Sequence, residues 1–419
     1  MIEPGTSTSR SARPLWRDMI VIFGVALAAR AGFGIVRLEK STGPSRLEFP
    51  DEHQYWFMAQ SLASGNGLCD EMGFRATRMP LYPAILSLCV DLPNSQQVAK
   101  ASQWIVGAIA AIFILSLGNI IAGRWVGIVA GMIVALDPFL IFFASLLLTE
   151  TGAITALCFL WLLLARILFQ HGPSSWTAWL VVGVAAAVCV YFRESNLGLA
   201  VLGIVFVVAA RHFDRRCLLG GAVALGLVAL SLVPWAVRNR WILGESCWLT
   251  TRGGISLYDG VGPQATGASD LGAVQRKGEA ATLPEAQWNE YFRTKAWAAI
   301  HENPGRIVQL AGQKLRRMWN PFPNVESYQS RNARWISAIW TIPLFFLAFV
   351  GAVRRIATPR HGGLTAVLFL LLPAIYLSVL HSLYVGSVRY RLPAMPMIAL
   401  LAAVSLSSQR YTERAHENE

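Results

Sequence analysis

Two acids and a guanidinium stand out in the stretch FPDEHQYWFMAQSLASGNGL and, slightly later, FRATRMPLYPAILSL. Asp51 and Glu52 follow Pro50 and open a helical pattern, with acids placed where the helix dipole favours them. Trp56, Phe57, Ala59, Leu62 and Ala63 supply an apolar face, which predicts a helix lying along a membrane surface. Ser64-Gly65-Asn66-Gly67 ends it. Arg78-Met79-Pro80-Leu81-Tyr82-Pro83 then begins a second short helix, with proline early, where its missing N–H costs little. Taken alone, the acids read as caps and Arg78 as a snorkelling interfacial cation. Together, a carboxylate pair and a guanidinium opening two adjacent juxtamembrane helices suit a reaction between a lipid phosphate and a hydroxyl at the bilayer surface.

The elements that must position these residues are membrane spans. The chain has 419 residues, 54% hydrophobic and only 14% charged, with a net charge of +12. Soluble domains carry about 25% charged residues, so a soluble enzyme is excluded. The composition also excludes a disordered chain, a collagen-like repeat and a disulfide scaffold. Apolar runs predict about ten spans, near 17–38, 98–122, 125–144, 148–169, 176–192, 196–211, 217–237, 334–353, 363–385 and 391–408. Arg10, Arg13, Arg17, Arg124, Arg166, Arg211, Arg215, Arg216, Arg354, Arg355, Arg360, Arg410 and Arg414 then share one side. By the positive-inside rule that side is cytoplasmic, and both tails, 1–16 and 409–419, lie there. The segments 39–97 and 238–333 are too polar to span and form outer loops within a transmembrane domain of 17–408. Cys69 and Cys247 lie in these loops, where a pairing is open to them. No zinc-site spacing appears, so neither metal nor cofactor is expected.

Further polar residues gather at outer span edges. Glu150 sits where a carboxylate is costly without a partner, and reads equally as a sugar or acceptor ligand or as an arginine's ion-pair partner. Arg193 and Glu194 follow a span end. Arg389, Tyr390 and Arg391 begin the last span against the charge bias, which suits a lipid phosphate; Arg238 and Arg240 are similar. Tyr55 and Tyr82 read first as interface aromatics. Arg30, inside the first span, calls for a partner, and a structural ion pair is expected.

The order Asp51-Glu52, Tyr55, Gly65-x-Gly67 and Arg78-x-Pro80-Leu81-x-Pro83 resembles polytopic GT-C glycosyltransferases. The branch it is most similar to holds aminoarabinose transferases of lipid A, lipopolysaccharide galacturonosyltransferases and protein O-mannosyltransferases. LDPFLIFFASLLLTE, VYFRESN, LVPWAVRNRWILGE, RGGISLYDGVGPQATG, HENPGRIVQLAGQKLRRMW and VRYRLPAMPMIALLAA resemble later family segments, to about residue 405. Where the aminoarabinose transferases carry Lys-Pro-Pro, this chain has Arg78-Met79-Pro80. The resemblance implies an all-α membrane bundle that transfers a sugar from a polyprenyl-phosphate donor on the outer face. The acceptor would be a lipid-linked glycan, a lipopolysaccharide-like molecule or a protein. It implies Asp51 as the base, with Glu52 sharing or orienting that role. Arg78, with Arg193, Arg389 and Arg391, would lie on the donor phosphate; Tyr55, Tyr82, Glu150 and Arg238 would contact substrate. The donor carries its own leaving group, which fits the absence of a nucleotide fingerprint. The partners are thus the donor, the acceptor and membrane lipids, not nucleic acid. The competing classes are a lipid or glycan transporter or flippase, which would carry charges at mid-membrane in broken helices, and a non-enzymatic scaffold.

Overall fold

The computed structural model describes residues 14–40, 47–170, 175–271, 283–325, 328–358 and 362–407. Most of both predicted tails lies outside them, as do Arg10, Arg13, Arg360, Arg410 and Arg414. The described residues are helical or irregular throughout, without a strand.

Among the described residues, six helices are long and apolar enough to cross a membrane: α1 (Leu15–Lys40), α4 (Ser95–Ala122), α7 (Glu150–Phe169), α10 (Arg215–Leu243), α14 (Arg331–Ala357) and α15 (Gly363–Leu383). α5 (Arg124–Leu136) and α6 (Pro138–Ala144) become a seventh if the pair counts as one bent span. The protein is thus a multi-pass integral membrane protein. The difference from ten lies in the shorter apolar helices: α8 (Trp176–Phe192), α9 (Asn196–Ala210) and, at the C-terminal end, α17 (Met395–Ser405) fall short of the 18 residues that qualify a helix alone. The run 125–144 reads as one span but bends by 53° at Asp137. Pro138 lacks the N–H a continuing helix would use. Asp137 instead caps a new helix, accepting from the backbone N–H groups of Phe139 and Leu140.

Between the spans lie α2 (Pro50–Ala63), α3 (Leu81–Ser87), α11 (Gly253–Val261), α12 (Glu285–Glu302), α13 (Pro304–Met318) and the short α16 (Val388–Arg391). Trp16, Trp125 and Trp176 are exposed at the starts of α1, α5 and α8, Trp241 near the end of α10 and Trp335 near the start of α14. Exposed tryptophans at helix ends suit the water interfaces of a bilayer.

Arg30 is buried in α1, as expected, but its partners are backbone carbonyls rather than a carboxylate: it donates to Ala26, Val134 and Ala135. The last turn of α5 leaves those carbonyls of Val134 and Ala135 open, because the helix stops at the bend.

The two large loops are pinned to each other by Glu285. Its carboxylate accepts from the N–H groups of Arg75 at 2.5 Å and Ala76 at 2.8 Å, and from the Thr251 hydroxyl at 2.5 Å. A buried carboxylate is tolerated only when its lone pairs are filled in this way. All six cysteines, including Cys69 and Cys247, are free.

Candidate active site

α2 starts as its sequence predicts, with one exchange of roles. Glu52, not Asp51, serves as the cap. It is fully buried and accepts from the N–H groups of Glu48 at 2.9 Å, Phe49 at 3.1 Å and Leu147 at 2.8 Å. Lys100 lies 3.9 Å away. Its oxygens are occupied by structure, and it does not line the cavity beside Asp51.

Asp51 is thereby released from the backbone. Arg78 Nη2 donates to one of its oxygens at 2.6 Å, and Arg389 Nη1 donates to the other at 2.6 Å. Charge-assisted contacts of this length are the strong class of hydrogen bond. Arg78 also donates to Gln54 Oε1 through Nε at 2.9 Å and Nη2 at 2.8 Å, and its guanidinium stacks 4.9 Å from the centre of the Tyr55 ring. Arg389 grips Glu150 by its Nε and by Nη2, the latter at 3.3 Å. Arg193 reaches the same carboxylate at 3.1 Å. Glu150 is fully buried, so of its alternative readings the structure displays the ion pair. Arg252 reaches Gln54 Oε1 at 3.3 Å.

Electrostatics follow from this crowding. Burial alone would raise the Asp51 pKa, but Arg78, Arg389 and Arg252 outweigh it and hold the carboxyl well below its usual range. Burial opposes the Arg78 cation too, but Tyr55 and Asp51 outweigh it and leave its pKa above the ordinary value. Arg252 moves the other way: burial and the neighbouring Arg78 push it down.

The cluster forms one wall of a cavity of about 1630 Å³. Asp51, Gln54, Tyr55, Arg78, Arg193, Arg252 and Arg389 line it. Its aromatic and apolar lining includes Phe33, Phe139, Phe142, Phe143 and Ile336, with the Phe142 ring against those of Phe33 and Phe143. Its polar lining includes Asp70, Glu71, Ser256, Asp259 and Asp270.

The structure thus brings together Asp51, Tyr55, Arg78, Arg193 and Arg389, with Glu150 directly behind. Four other sequence candidates lie off the cavity. Tyr82 is buried edge-on to Tyr55 and donates to Gln103 at 3.2 Å. Arg238 donates to the carbonyls of Arg75 and Leu68 and covers Trp235. Arg391 is fully buried and donates to the carbonyls of Met318 and Asn320. Glu52 is the cap described above. Glu52 and Arg391 stand beside the cavity residues Asp51 and Arg389; Arg391 is two residues from Arg389, and that spacing on a helix points it to another face.

Gln54 and Arg252 went unnoticed in the sequence. Gln54 stands three residues after Asp51, which puts both on one helix face, and that spacing was the available signal. Arg252 opens the Gly-rich stretch before α11. Among the described residues, no three His, Cys, Asp or Glu side chains converge as a metal site would require.

Residues 77–237 match the family model described as dolichyl-phosphate-mannose-protein mannosyltransferase. The fold agrees. The archaeal oligosaccharyltransferase AglB from Archaeoglobus fulgidus, in complex with an inhibitory peptide and a dolichol-phosphate, superposes with a TM-score of 0.62 at 13% identity, over 96% of this chain and 51% of that one. The family match covers less than half of the chain, and the likeness to the archaeal enzyme is one of fold. The apo form of the Archaeoglobus fulgidus oligosaccharyltransferase gives a TM-score of 0.60 at 13% identity, covering 97% of this chain and 52% of its own. ArnT from Cupriavidus metallidurans, bound to undecaprenyl phosphate, gives 0.43 at 16% identity over 94% of this chain and 78% of that one. The chain therefore spans about half the length of the archaeal enzymes it matches. No curated protein matches it.

Proposed function

We propose that this protein is a GT-C glycosyltransferase that transfers a sugar from a polyprenyl-phosphate donor to a lipid-linked glycan, a lipopolysaccharide-like molecule or a protein. The observation that carries this reading is a cavity lined by a cluster of arginines around Asp51 together with many aromatic and apolar side chains. An amphiphile with a phosphate head and a prenyl tail suits that mixed lining. Further polar residues of the lining, such as Asp70 and Asp259, suit an acceptor.

In the reaction, the bond between the anomeric carbon and the phosphate oxygen breaks, and a bond from the acceptor oxygen to that carbon forms. The acceptor's proton passes to Asp51, and the electron pair leaves with the polyprenyl phosphate. The transition state resembles an oxocarbenium ion, as in glycoside hydrolysis. Arg78, Arg389, Arg193 and Arg252 stabilise the charge growing on the phosphate, and arginine's planar fork suits that task. Tyr55 keeps Arg78 flat against its ring. The chain from 17 to 408 acts as one transmembrane domain, with both termini cytoplasmic and the site on the outer face, as the arginine bias of the spans supports.

The test supplies a labelled polyprenyl-phosphate sugar to the purified protein in lipid nanodiscs. Release of polyprenyl phosphate that depends on added acceptor is the expected result. Movement of the lipid across a vesicle membrane without sugar transfer would favour a transporter instead.

A further inference from the structure

Both arginines that grip Asp51 are also held from behind. Arg78 is fixed by Gln54, whose own amide donates to Asp70 Oδ2 at 3.0 Å, an oxygen that also accepts from the Thr77 hydroxyl at 3.0 Å. Arg389 is fixed along one edge by the buried Glu150. The two guanidiniums therefore converge on one spot from supports that do not involve Asp51. The Asp51 carboxylate fills that spot, one oxygen to each arginine, at 2.6 Å and 2.6 Å. Arg252 adjoins them, and among the described residues it has no carboxylate within ion-pair distance. Carboxylate and phosphate offer a guanidinium the same kind of oxygen pair, so they compete for it. A carboxylate engaged at both oxygens by two guanidiniums is also a poor proton acceptor.

We propose that Asp51 is a place-holder for the donor's phosphate: the incoming phosphate takes over Arg78 and Arg389, and the displaced carboxylate becomes free to act as the base. The inference rests on the polyprenyl-phosphate reading of the site. The exchange is one of ion-pair partners, with no covalent change. The positive charge of Arg252 helps seat the second anion while Asp51 remains nearby. Gln54 and Glu150 are positioning residues that keep the arginines aimed during the swap. A competent base then exists only when donor is bound, which protects the site against activating stray water.

The experiment titrates undecaprenyl phosphate in detergent micelles into wild type, Asp51→Asn, Asp51→Ser and Arg78→Ala, following tryptophan fluorescence. Thermal melts identify the folded samples, and Asp51→Ser serves if Asp51→Asn does not fold. The expected result is that the Asp51 variants bind roughly tenfold tighter, because a competing charged hydrogen-bond acceptor has gone, while Arg78→Ala binds more weakly. Asp51 variants that bind no tighter than a wild type that does bind overturn the place-holder alone. No binding by folded wild type or any variant overturns the polyprenyl-phosphate reading, and the place-holder with it.

Discussion

Arg389 embraces Glu150 with the edge of its guanidinium formed by Nε and Nη2, although 239 residues separate the two in the chain. The remaining nitrogen, Nη1, is left to face Asp51. A buried carboxylate in the first turn of α7 thus aims a cation from the short helix before α17, and α7 and the C-terminal segment must be correctly packed before the site exists.

Glu150→Gln should therefore affect both stability and rate. Breaking a buried ion pair costs about 3–5 kcal/mol, and glutamine, which still accepts a hydrogen bond, should recover part of that. With its anchor weakened, Arg389 loses its aim, and kcat/KM should fall on the order of 10²-fold. Thermal melts and initial rates on the same sample check this. Unchanged kcat/KM in a folded Glu150→Gln protein would remove Arg389 from the reaction.

At Arg78 the charge and the fork can be separated. Arg78→Lys keeps a cation but cannot donate to Gln54 and Asp51 together as the guanidinium does. Arg78→Ala should lower kcat by roughly 10²–10³-fold, as loss of a charge-stabilising donor does. Arg78→Lys should fall between that variant and wild type. Equal rates for lysine and arginine would mean that charge alone is needed.

The pH dependence of stability reports Asp51. Burial pushes its pKa up, but Arg78, Arg389 and Arg252 outweigh burial and hold it down. A carboxyl depressed below its unfolded value of about 3.9 contributes stability that is present above that value and lost as pH falls through the folded pKa. The melting-point gap between wild type and Asp51→Asn should stay constant from about pH 7 to about pH 5 and close only below about pH 4. Melts across that range decide it. A gap that closes above about pH 5 would show that the arginines do not dominate the environment of Asp51. In turnover, the acid limb of kcat/KM, which reports the free enzyme, should lie below the acid limb of kcat. The bound donor relieves Asp51 of its arginines only in the complex.

The elements of the site were legible because each left a local signal. Pro50 with two acids announced α2, Pro80 and Pro83 announced α3, and arginines against the charge bias announced the α16 segment. What the sequence withheld was which of two neighbouring residues turns inward. Asp51 and Glu52 are equivalent as letters, yet the backbone N–H of Leu147, 95 residues away, completes Glu52's role as a cap and leaves Asp51 to the arginines. The same holds for Arg389 and Arg391. The bend at Asp137 was hidden for another reason: hydropathy is continuous through Pro138, and only the side-chain cap on Phe139 and Leu140 makes a second helix there. Gln54 carries no charge and gave no compositional signal, although it joins Asp70 to Arg78 and Arg252.

Arg391 offers a control for these assignments. It is fully buried, stacks 5.1 Å from the Phe139 ring and 5.4 Å from the Phe345 ring, and donates to Asn320 O at 2.5 Å. Among the described residues, two of its nitrogens, Nε and Nη2, have no hydrogen-bond partner. Its work is to hold the end of α13 against the C-terminal segment. Arg391→Ala should lose about 2–5 kcal/mol of stability through the cavity and the carbonyls it abandons. Arg391→Met should lose less, because it fills the same space among aromatic rings without burying a charge. In the folded fraction of either variant, the affinity for polyprenyl phosphate should match wild type, whereas Arg78→Ala and Arg389→Ala should weaken it. Melts paired with lipid titrations separate the two behaviours. A folded Arg391→Met protein that no longer binds the lipid would restore Arg391 to the phosphate site.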